Sequence, residues 1–187
     1  IVVLLIDTLR ADGFRLDDPE GGGMPALARL ARESVCFTQA SSPASWTLPS
    51  VMSMFTGLMP QQHGVTGEDL LAPTLSALTT WAEILATAYG YDTAAFAGTD
   101  WAGAEAALLQ GFRHKQSGYL MQGTADQLAP WLARRDARQP FFLFLHFYDP
   151  HWHYDPPEDT RKLFAKPYSG SITGRWGDFS GRDRASV

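Results

Sequence analysis

Pro140-Phe-Phe-Leu-Phe-Leu-His-Phe-Tyr148, running into Asp149-Pro150, is apolar at successive positions and not merely at alternate ones. A strand of that kind is covered on both faces, as in the middle of a parallel sheet. Ile1-Val-Val-Leu-Leu-Ile6 has the same character and also stops at an acid, Asp7. Parallel neighbours cannot be joined by a tight turn, so helices must cross between them. Working outward, Pro25 to Glu33 has helical spacing with proline in its first turn. Ser34 to Ala40 reads as a strand. Thr47 to Gly57 reads as a helix with Thr47 as its cap, an early Pro49 and a closing glycine. Thr74 to Ala88 is the clearest helix, Tyr91 to Ala97 a strand, and Thr124 to Arg138 a helix with Trp131 and Leu132 on its apolar side. This alternation predicts an α/β fold, a mostly parallel central sheet flanked by helices.

The 187 residues hold 15 Lys+Arg against 20 Asp+Glu, a net charge of −5, with no basic cluster. That argues against a nucleic-acid partner, because phosphate backbones need a concentrated positive face. One cysteine, Cys36, excludes an intrachain disulfide framework and a cysteine-rich zinc site. Set in the apolar run 34–40, it reads as a small buried hydrophobe. Ile1 to Ile6 is far short of the roughly 20 residues that span a bilayer. The chain opens inside a strand pattern and closes on the polar, glycine-rich Gly174 to Val187. The organisation expected is a catalytic-type unit over 1–157, then a loop or incomplete element over 158–187, cut from a longer protein.

In open parallel sheets, ligands bind beyond the carboxyl ends of the strands. Asp7 and Asp149 both follow buried strands, although Asp7 also reads as a turn acid. Thr47 begins a helix, where free N–H groups favour an anion, although taken alone it reads first as a plain N-cap. The cluster His146-Phe-Tyr-Asp149-Pro-His151-Trp-His153-Tyr-Asp155 is the densest in chemistry. His151 and His153 alternate, so an extended segment would point both one way. With Asp149 they suit a metal or an oxyanion; His146 also reads as a satisfied strand histidine and His153 as a solvated one. His63 faces either the same mouth or a loop. Arg10 steers an anion or pairs with Asp12. The methionines 24, 52, 54 and 59 read as core.

Read in order, these segments resemble the N-terminal part of the sulfatase family, in the alkaline phosphatase superfamily. The resemblance rests on Val2 to Asp12, Pro25 to Glu33, Ala44-Ser-Trp-Thr-Leu-Pro-Ser-Val-Met-Ser-Met-Phe-Thr-Gly57 and His63-Gly64. It continues through Trp81 to Leu85, Gly90 to Thr93, Gly111-Phe112 and Phe141 to Pro157. It implies an alkaline-phosphatase-like sandwich, incomplete here, with a divalent metal (Ca, Mn, Zn or Mg) at the strand ends. Asp7 falls on the family's first metal-binding acid, and Thr8 on a position often held by a second one. The nucleophile signature Cys/Ser-x-Pro-x-Arg falls on Thr47-Leu-Pro-Ser-Val51. Threonine cannot become formylglycine, and Val51 stands where the arginine would. A threonine there resembles the phosphodiesterase, phosphoethanolamine-transferase and lipoteichoic-acid-synthase branches. The sulfate-binding lysine segment has no counterpart near Phe96 to Asp100, and the later Asp-His or Asp-Asn metal pair does not occur. His151 matches the histidine of the family's Asp-Pro-His segment.

The resemblance therefore implies a metal-dependent hydrolase of sulfate or phosphate esters working through a covalent threonine intermediate. Thr47 and His151 would be catalytic, Asp7 and Thr47 would hold the metal, and His63, His153, Asp149 and Arg10 would bind substrate. A phosphotransferase on membrane or cell-envelope substrates and an inactive anion-binding module are the alternatives. Asp7, Thr47 and His151 are expected to share one mouth. The 187 residues alone are expected to bind metal weakly and to turn over little.

Overall fold

A computed structural model describes residues 1–66, 77–98, 109–118, 121–151 and 156–170. Its elements run β1 (Val2–Ile6), α1 (Pro25–Arg32), α2 (Thr47–Thr56), α3 (Pro60–His63), α4 (Trp81–Ala88), β2 (Asp92–Ala97), β3 (His114–Ser117), α5 (Met121–Arg134), β4 (Phe141–Phe147) and α6 (Glu158–Phe164). The described strands form one sheet in the order β1-β4-β2-β3. All three pairings are parallel, with Leu5 beside His146 and Phe96 beside Leu145.

β4 lies between β1 and β2 and sends alternate side chains into two cores. Phe142 and Phe144 join Leu48, Met52 and Phe55 of α2 and Ala82 of α4 on one face. Leu143 and Leu145 join Ala94, Phe96 and Trp131 of α5 on the other. The continuous apolar run is thus explained by helices on both sides. Phe55 anchors the first core, edge-on to Phe144 at 4.9 Å, Phe112 at 5.6 Å and Phe142 at 6.4 Å between centroids.

Several local expectations give way. Ser34–Ala40 is not a strand; Val35 and Phe37 are 80% and 83% exposed, and Cys36 is exposed too. β-propensity without a ladder partner does not make a strand. β1 is an edge of the described sheet, not a central strand, and Val2 and Leu4 stay half exposed. Leu132 and Met59 are exposed, whereas Met52 is buried. α4 starts at Trp81, not Thr74, because Thr80 Oγ1 accepts the Glu83 N–H at 3.2 Å and Glu83 Oε2 accepts the Thr80 N–H at 2.8 Å. That reciprocal box needs only the Thr-x-x-Glu spacing. Residues 67–76 lie outside the described residues. β3, α3 and α6 are short elements that the apolar pattern did not announce. Among the described residues, no helix is long and apolar enough to cross a membrane.

Phe55→Ala would leave a cavity among three aromatic rings. The expected cost is about 3–5 kcal/mol, read as a lower midpoint in urea unfolding.

Candidate active site

The carboxyl end of β1 and the start of α2 meet across the top of the sheet. Asp7 is held there by its backbone N–H, which donates to the Phe147 carbonyl of β4 at 2.9 Å. Thr8 follows with φ 54°. A β-branched residue in the left-handed region costs about 1–3 kcal/mol, and such strain concentrates at functional sites. The turn takes the chain out of the sheet directly after the carboxylate.

Thr47 is the first residue of α2 and not its cap. Trp46 occupies the capping position with extended backbone (φ −147°, ψ 163°), and no side chain caps the helix. The Thr47 hydroxyl is therefore not spent on its own helix. Its Oγ1 donates to Asp7 Oδ2 at 2.8 Å. Ser50 fixes the approach of the chain: its Oγ lies 2.9 Å from the Trp46 carbonyl oxygen and 3.0 Å from that of Ala44.

His146 reaches the same carboxylate oxygen, with Nε2 3.1 Å from Asp7 Oδ2. Burial pulls the Asp7 carboxyl upward, but the hydrogen bonds from His146 and Thr47 and the nearby imidazoles of His146 and His151 outweigh it. The carboxyl is held below its ordinary range and is ionised at neutral pH.

Asp7, Thr8, Thr47 and His151 line one cavity of about 540 Å³, whose remaining wall includes Trp46 and Met54. His151 is oriented by Tyr148: the rings stack at 4.1 Å with an 18° interplanar angle, and the phenol oxygen lies 3.1 Å from His151 Nε2. Asp7, Thr47 and His151, distant in sequence, thus share a mouth.

The other sequence candidates sit elsewhere. Arg10 is exposed and makes a two-pronged contact with Asp12, at 2.8 and 2.6 Å. Asp149 is exposed at the turn after β4. His63 is buried at 2% exposure; its Nδ1 accepts the Val65 N–H at 3.0 Å, and its Nε2 is 3.0 Å from Ser53 Oγ of α2. It ties α3 to α2 from inside the core. His153 lies outside the described residues.

A family model described as Sulfatase matches residues 1–171. The chain belongs to the sulfatase family. A search of curated proteins gave no match. Sulfatases are ester hydrolases, and the family generally uses a divalent metal. Among the described residues, no group of three or more His, Cys, Asp or Glu side chains gathers to hold one. What is present fits one side of a coordination shell: an ionised carboxylate with a hydroxyl at 2.8 Å, both hard oxygen donors.

The residue that the sequence left in the background is His146. The signal was available: Phe142, Phe144 and His146 occupy alternate positions of β4, and the row turns polar at His146, opposite Leu5 and two residues short of Asp7.

Burial pushes the His63 imidazole below its ordinary value, opposed in part by the Pro49 carbonyl. The unfolded chain takes up that proton near pH 6.5 and the folded chain only at lower pH, at a loss of the Nδ1 acceptor. Its contribution is complete above about pH 6.5 and declines as pH falls toward the folded value. Urea unfolding between pH 5 and 8 is expected to show this slope in the wild type. A smaller slope is expected in His63→Gln.

Proposed function

We propose that this sulfatase-family protein cleaves sulfate or phosphate esters through a covalent intermediate on Thr47. The observation that carries the reading is the Thr47 hydroxyl at the start of α2, donating at 2.8 Å to an ionised Asp7 inside a cavity that His151 also lines. A hydroxyl used as an N-cap would be committed to its own backbone; this one is aimed at the carboxylate.

In the reaction, Thr47 Oγ1 forms a bond to phosphorus or sulfur in line with the departing alcohol. Its proton passes along the existing hydrogen bond to Asp7 Oδ2. The bond to the ester oxygen breaks, and the alcohol leaves with a proton from His151. Water, or an acceptor alcohol in a transferase, then attacks the adduct and gives its proton to His151. The bond to Thr47 Oγ1 breaks, and Oγ1 takes the proton back from Asp7. A divalent cation held by Asp7 and Thr47 would lower the hydroxyl's pKa and offset charge on the transferred group.

Two residues favour phosphorus over sulfur. Threonine cannot be oxidised to the aldehyde that formylglycine chemistry uses. Val51, where the family signature has arginine, is 3% exposed and packs in the α2 core. Ester binding therefore begins without that cation. Arg10, Asp149, His63 and His153 are not needed for this reading.

The test uses the complete gene product with aryl phosphodiesters and aryl sulfates, each with Mg²⁺, Ca²⁺, Mn²⁺ or Zn²⁺. Thr47→Ala is expected to lower kcat by about 10³-fold or more, as losing a nucleophile does, while costing only about 0.5–1.5 kcal/mol of stability for one hydrogen bond. Thr47→Ser is expected to keep measurable turnover. Mass spectrometry of quenched reactions is expected to find the adduct on the peptide carrying Thr47. Unchanged diester cleavage by Thr47→Ala places the nucleophile elsewhere.

A further inference from the structure

We infer that His146 is the positioning residue that decides which oxygen of Asp7 serves Thr47 and which is left for a cation. The inference rests on the Thr47 reading above and adds a residue that neither the family match nor the sequence motif assigns.

His146 is 1% exposed on β4, a strand with neighbours on both sides. Its ring stacks over Phe144 at 6.0 Å and 19°, and Tyr148 meets it edge-on at 6.0 Å and 85°. A ring held that way has little rotational freedom. Asp7 is the opposite case: it follows a strand at the edge of the described sheet, and its carboxylate can turn about two side-chain bonds. A carboxylate oxygen accepts, so in this contact a proton on His146 Nε2 donates to Oδ2. Thr47 donates to that same atom at 2.8 Å. Two donors from two elements fix one oxygen. Among the described residues, Oδ1 accepts no hydrogen bond, which leaves its lone pairs open to a divalent ion. Without the His146 N–H, the carboxylate can rotate and offer either oxygen to Thr47, and the division of labour is lost. The arrangement is an outer partner orienting a ligand, with the imidazole outside and the carboxylate inside.

Two variants separate hydrogen bonding from packing. His146→Gln keeps an N–H donor able to reach Oδ2, whereas His146→Leu fills similar space without one. In the complete gene product, His146→Leu is expected to weaken Mn²⁺ binding by calorimetry about tenfold and to lower kcat about tenfold with KM nearly unchanged, the size typical of a lost outer-sphere partner. His146→Gln is expected to stay within about threefold of wild type in both. Nitrogen NMR is expected to show the Nε2–H tautomer at His146 in the wild type. Wild-type Mn²⁺ affinity and kcat in His146→Leu overturn the inference, as does an Nδ1–H tautomer. If His146→Leu does not fold, His146→Gln decides: retained affinity and kcat support the inference, and a tenfold loss of both overturns it. The Mn²⁺ and tautomer readouts do not involve the nucleophile. They decide His146 even if Thr47→Ala proves active, which would sink only the Thr47 reading.

Discussion

β4 has a neighbour on each edge and a core on each face, and every other feature of the molecule follows from covering it. A parallel strand buried on both sides needs crossover helices above and below the sheet, and α2 with α4 and α5 meet that need. Because the strands run the same way, their carboxyl ends gather at one edge. That brings Asp7 at the end of β1 level with the end of β4, although 139 residues separate it from His146. The chemistry is placed by the requirement to bury phenylalanine.

That dependence explains what the sequence made legible. The long strands, α1, α2 and the parallel sheet follow from composition at consecutive positions, which needs no knowledge of partners. The errors all concern partners. Ser34–Ala40 has the residues of a strand and no ladder to join among the described residues. Val2 and Leu4 have the residues of a central strand at a described edge. α4 begins where Thr80 and Glu83 cap each other, a local signal that the longer apolar pattern obscured.

The site divides in the same way. Asp7, Thr47 and His151 were marked by motif and by position at strand and helix ends. The motif implied a nucleophilic role for the threonine hydroxyl but not which group holds it. A threonine before a helical run suggests an N-cap, and only the placement of Trp46 in the capping position frees the hydroxyl for Asp7. His63 and Arg10 were marked by residue type alone. Their local partners, Ser53 with Val65 for one and Asp12 for the other, account for both without the cavity. His146 was set aside because buried strand histidines are usually satisfied. It is satisfied, but by the carboxylate that Thr47 also uses.

Thr8 completes the argument from the backbone side. A strand that simply continued would carry Asp7 onward with the sheet, and its carboxylate would have no fixed relation to α2. A left-handed residue at position 8 turns the chain away at once, and the Asp7 N–H stays bonded to Phe147. Glycine would make that turn without strain; a threonine there costs stability and supplies a side chain on the cavity wall. The surrounding structure tolerates the strain because three hydrogen bonds hold Asp7, one from its own backbone and two at Oδ2. Backbone strain, a clamped carboxylate and an uncapped helix start therefore form one device. Each part is unfavourable or idle alone, and together they point a hydroxyl and an ionised oxygen into the same cavity.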